Sequence, residues 1–88
     1  MSTKVKSKQP LPKWFHGEVY KDGATVRNRF SGEEYKLNNV ELSMYDFIIG
    51  STTMMEMGWH TDNLITDLRK GLDWFKQYNA KAYMILLD

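Results

Sequence analysis

The chain has 88 residues, no cysteine and a formal net charge of +1. That length allows one domain, and the missing thiols exclude disulfide or thiolate–zinc staples. A domain this small buries only about 60–65% of the surface its unfolded chain exposes. Its three Trp, five Tyr and four Phe must therefore fill the core or face a partner, since each large ring buries roughly 150–250 Å². The charge is uneven. Residues 1–30 hold seven Lys/Arg against two Asp/Glu, and residues 31–88 hold five against nine. A basic third of this kind suits an acidic partner, nucleic acid or the chain's own acidic half. No apolar run approaches the ~18–20 residues of a membrane span. Met1–Gln9 lacks the apolar stretch of a secretory signal, so a cytoplasmic location is expected.

Residues 1–9, with three spaced lysines and little to bury, predict a flexible basic tail ahead of a single domain over 10–88. Trp14–Phe30 predicts a β-hairpin folded at Asp22-Gly23, because a type I′ turn needs positive φ at both central positions. That register sets Val19 against Val26 and Phe15 against Phe30 on one face. Glu18 faces Arg27, Tyr20 faces Thr25 and His16 faces Arg29 on the other. Glu33–Leu37 alternates as a candidate third strand. Asn38 or Asn39 then caps a helix carrying Val40, Met44, Ile48 and Met55 on its apolar stripe, with Ser43, Asp46, Gly50 and Thr53 opposite. Gly58 is its natural stop.

Thr61 caps a second helix, whose stripe is Leu64, Ile65, Leu68, Leu72 and Phe75. One of the six glycines reads as a helix packing point. Asn79 is placed to cap a last short helix over 80–87, although AYMILL reads equally as a strand. The expected fold is therefore α+β: an N-terminal antiparallel hairpin packed on two main helices, plus a short C-terminal helix.

The segments NRFSGEEYKL (28–37), MYDFI (44–48), GLDWF (71–75) and AYMILLD (82–88) resemble small proteins encoded by tailed bacteriophages, including those of marine hosts. The resemblance covers residues 28–88 and leaves the basic N-terminal part as an individual extension. It implies an accessory factor that binds a host protein or nucleic acid, acting in the cytoplasm of the host cell. It assigns no residue a role.

The residues themselves offer no catalytic constellation. The six glycines form neither a Walker pattern nor a dinucleotide fingerprint, and no cofactor is expected. Adjacent Glu33 and Glu34 on a strand point to opposite faces. Ser31 and Ser51-Thr52-Thr53 have no activating base nearby in sequence. His60 and Asp62, with His16 distant, lack metal-ligand spacing and suit a helix start. The chain is therefore expected to be non-enzymatic.

Two binding surfaces are expected instead. Met54, Met55 and Met57, with Trp59 and Trp74, form a candidate surface for a protein partner or a second copy. Methionine re-packs readily around different shapes, and exposed tryptophan is a typical interface anchor. The same methionines would also serve as gap-fillers in a small core. The alternative is nucleic acid, bound by Lys13, Trp14, His16, Tyr20, Arg27 and Arg29 on the polar hairpin face. Bases would stack on the rings there, and phosphates would meet the cations. A solvated ribbon with Glu18–Arg27 pairing is the simpler account of that face.

Overall fold

The computed structural model describes residues 11–87 apart from His16 and Arg29, so the expected tail lies outside the described residues. The elements run β1 (Ala24–Arg27), β2 (Glu34–Leu37), α1 (Asn39–Glu56), α2 (Asp62–Tyr78) and α3 (Ala80–Leu86). This is the expected α+β class, a two-stranded antiparallel hairpin followed by two main helices and a short third.

The hairpin itself is shifted one strand along the chain. β1 pairs with 34–37, with Val26 opposite Tyr35 and Arg27 opposite Glu34. The described residues of 11–23 form no strand. Gly23 does not adopt a positive φ, so the type I′ turn does not form. Gly23 serves a close approach instead. A Cβ there would sit 2.1 Å from Leu37 O and 2.8 Å from Asn38 Cα. The left-handed glycine of the real hairpin is Gly32, with φ of 80°. Asn28 closes that turn, accepting from Gly32 N–H on its carbonyl and donating its own N–H to Glu33 O.

The predicted cross-strand pairs among the described residues are consequently absent. Phe15 packs on Phe47 of α1, with ring centroids 5.5 Å apart, rather than against Phe30. Val19, expected to face Val26, is 64% exposed. The described residues of 11–23 cross α1 as irregular chain, held where Tyr20 N–H donates to Ser43 Oγ at 2.9 Å. Ser43 in turn donates to Asn39 O. This crossing corrects the helical wheel: Ser43, expected on the outer face, is fully buried. A hydroxyl tolerates that position because both of its partners are protein groups.

Leu37, Met44, Ile48 and Phe75 are the centre of the core, with Trp74, Ala82 and Leu86 around them. Each large side chain removed from water there contributes about 1.5–3 kcal/mol. α2 approaches α1 at Gly71, where a Cβ would meet Ile48 Cγ1 at 3.3 Å and Met44 Sδ at 3.4 Å. The caps fall where the sequence places them. Asn38 Oδ1 accepts from Glu41 N–H, and Glu41 Oε1 accepts from Asn38 N–H, a reciprocal capping box. Thr61 caps α2 and Asn79 caps α3. The C-terminal segment is thus helix, not strand. No helix among the described residues is long and apolar enough to cross a membrane.

Candidate protein-binding surface

The end of α1 is a Schellman motif. Met57 is the C-cap, and Gly58 adopts φ of 101°. Gly58 N–H donates to Met55 O, and Trp59 N–H donates to Met54 O, both at 3.0 Å. His60 Nε2 lies 2.8 Å from Met55 O, and since a carbonyl only accepts, that contact requires the Nε2–H tautomer. Thr61 Oγ1 accepts from Leu64 N–H to start α2. The turn between α1 and α2 is therefore tied by hydrogen bonds at both ends.

On this ordered backbone Met57 is 71% exposed and Trp59 57%, with Met54 also exposed and Met55 half-buried. Four of the five expected partner-binding residues thus lie within one turn of chain. Trp74 does not join them. It is buried, with its ring 6.2 Å from Phe75 and 5.0 Å from Tyr78, so it belongs to the core. The stripe of α2 is wider than the sequence suggests, because α3 folds back and covers Trp74's side of the helix.

The nucleic-acid candidates are dispersed. His16 and Arg29 lie outside the described residues, and the ribbon face that would gather the others does not form. Lys13 is exposed. The Trp14 ring lies 5.8 Å from Phe47, with Lys70 Nζ 5.9 Å from its centroid. Arg27 pairs with Glu34 at 3.0 Å instead of Glu18. Tyr20 hydrogen-bonds Asp46. Its hydroxyl pKa is raised above 10.0 by desolvation first, then by that bond and the charges of Asp46 and Glu18.

A second apolar feature escaped the sequence reading. An open groove of about 360 Å³ runs between the hairpin turn, α1 and α3. Tyr45, Ile49, Thr52 and Glu56 line it from α1 at intervals of one helical turn, with Leu72, Leu86 and Leu87 opposite. Phe30 stands at its rim, 88% exposed. The spacing of 45, 49, 52 and 56 was legible, but its proximity to Phe30 follows only from the displaced hairpin. Asn28 fixes the Phe30 loop, its Oδ1 accepting from Phe30 and Ser31 N–H while Nδ2 donates to Ile85 O of α3.

The hydroxyls weighed as nucleophiles make local structural bonds. Ser31 Oγ accepts from Glu33 N–H, and Thr52 Oγ1 donates to Ile48 O. An open cavity of about 570 Å³ beside Lys21, Lys36 and the start of α1 mixes both signs of charge, with Asn38 and Glu41 of the cap in its wall. Among the described residues no three His, Asp or Glu side chains gather as metal ligands. Compared with protein-family models, curated proteins and solved structures, the chain matches none.

Proposed function

We propose that the chain is a non-enzymatic accessory protein that acts by protein–protein interaction, through the apolar tip at Met54, Met57 and Trp59. One observation carries this reading: two large apolar side chains are held in solvent by a backbone that is itself fully tied down. A rigid aromatic beside adaptable thioethers loses little entropy on docking, which is how interface anchors yield affinity. The Schellman motif accounts for Met54 and Trp59 being near one another, the positions whose side chains commonly meet in it. It does not account for Met57. The resemblance of residues 28–88 to small tailed-phage proteins supports the same accessory role, placed in the cytoplasm of the host cell.

The test is affinity capture from cells of the chain's source, with wild type and a Met57→Ser/Trp59→Ser variant side by side. Both substitutions fall on exposed positions, so the variant keeps its helical circular dichroism. A protein retained by wild type and lost by the variant supports the reading. Identical capture by both removes the tip as the contact surface.

A further inference from the structure

The groove beside the hairpin turn holds both halves of a self-complementary contact, and we infer that its occupant is a second copy of this chain, related by a two-fold axis. Each Phe30 enters the groove of the other copy. The inference rests on the reading above that this is a protein-binding module, and it names one partner and one surface.

Three observations carry it. The first is that Phe30 is presented rather than left loose. Its loop is fastened to α3 through Asn28 Nδ2 and Ile85 O, and Asn28 Oδ1 accepts from Phe30 N–H itself. An aromatic ring 88% in water on such a loop is preorganised for burial. The second is that the receiving surface adjoins it. Ile49, Leu72, Leu86 and Leu87 line a groove of about 360 Å³, ample for a phenyl ring. In an isologous interface residue i meets j while j meets i, so a patch carrying knob and hole together matches its own copy. A flat or purely concave patch has no such property.

The third is charge. Among the described residues, the groove's ionic side chains are Arg27 on the hairpin and Glu56 at the end of α1. Arg27 bridges Glu34 along one edge at an exposed position, which leaves the rest of its guanidinium fork available. Glu56 has no ion-pair partner among the described residues. Under a two-fold, Arg27 of each copy meets Glu56 of the other, so these two described charges attract across the interface instead of repelling. A strongly basic or acidic peptide gains one of these groups and is opposed by the other. A standard interface needs about 800 Å² per copy; Phe30 and the groove walls form its centre and the two charges its rim.

The experiment is sedimentation equilibrium on the full chain up to roughly 500 µM, a range that detects even weak association. Wild type is expected to dimerise, and Phe30→Asp to remain monomeric while keeping its helical circular dichroism. Arg27→Glu and Glu56→Arg each place like charges across the interface and weaken self-association by about tenfold or more. An equal mixture of the two variants re-pairs both contacts and recovers the wild-type affinity. A strictly monomeric wild type overturns the inference, and so does a mixture that fails to recover. To separate this from the protein-binding reading, a photo-crosslinking benzophenone side chain replaces Phe30 or Trp59 in cells. A self-adduct from position 30 supports the inference. Adducts only to other proteins overturn it and leave the broader reading standing. No adduct from either position overturns both.

Discussion

Asn79 and Glu41, 38 residues apart in sequence, are joined by one hydrogen bond: Asn79 Nδ2 donates to Glu41 Oε2 at 2.9 Å. Each already caps a helix. Glu41 completes the capping box of α1 with Asn38, and Asn79 Oδ1 accepts from Ala82 N–H to start α3. A buried carboxylate thereby couples the beginning of the helical part to its end, and the last helix is too short to be stable on its own. Glu41→Ala removes two acceptors from buried donors and costs about 2–3 kcal/mol, and Asn79→Ala about 1–2 kcal/mol. In urea denaturation the double variant should lose less than the sum of the singles, by about 1 kcal/mol. Simple additivity would show that the two caps are energetically separate.

Much of this scaffold was legible because the signals were local. Asn38, Thr61 and Asn79 cap what they were expected to cap, and Gly58 ends α1. Each of those depends on a few neighbouring residues. The hairpin failed because β1 had two possible partners, and local turn chemistry favoured the wrong one. What decided it was tertiary: Trp14 and Phe15 bury against Phe47, and that leaves Glu34–Leu37 to complete the sheet. The Met and Trp turn could be read, since Gly58 fixed its place. Trp74's burial and the groove could not, because both depend on where α3 folds back.

Two glycines should respond to alanine in opposite directions. At Gly23 the new Cβ would lie 2.1 Å from Leu37 O, a backbone atom at the β2–α1 junction that cannot swing aside. Gly23→Ala should therefore destabilise by about 3 kcal/mol, at the upper end of overpacking costs. Gly50 lies in the middle of α1 with no heavy atom within 4 Å of such a Cβ. There alanine gains helix propensity, and Gly50→Ala should stabilise by about 1 kcal/mol. Thermal melts of the two variants check both signs together.

Tyr20 predicts a pH dependence on the alkaline side. Desolvation, the hydrogen bond to Asp46 and the nearby carboxylates of Asp46 and Glu18 raise its hydroxyl above 10.0. In the unfolded chain the phenol loses its proton at lower pH than in the folded one. Above 10.0 the unfolded state therefore binds fewer protons, and stability falls as pH rises through the folded value. Below 10.0 the contribution is fully present. Absorbance titration near 295 nm, taken as the difference between wild type and Tyr20→Phe, should show this one phenol titrating late. Asp46→Asn should bring it back toward 10.0 and flatten the alkaline loss of stability. An unchanged midpoint in Asp46→Asn would mean that desolvation and Glu18, not Asp46, set the shift.

The tryptophans separate packing from display within one spectrum. Trp74 is 7% exposed and packed edge-on or tilted against Phe75 and Tyr78, so Trp74→Ala leaves a cavity and should cost about 3–5 kcal/mol. Trp59 is mostly in water, so Trp59→Ser should shift stability by no more than about 0.5 kcal/mol. Trp14, half-buried between Phe47 and Lys70, lies between these limits. Acrylamide quenching resolves the same order without unfolding the chain: the readily quenched component should vanish in Trp59→Ser and survive in Trp14→Phe. If the accessible component survives Trp59→Ser instead, that ring is covered in solution, and the α1–α2 turn is packed rather than offered to a partner.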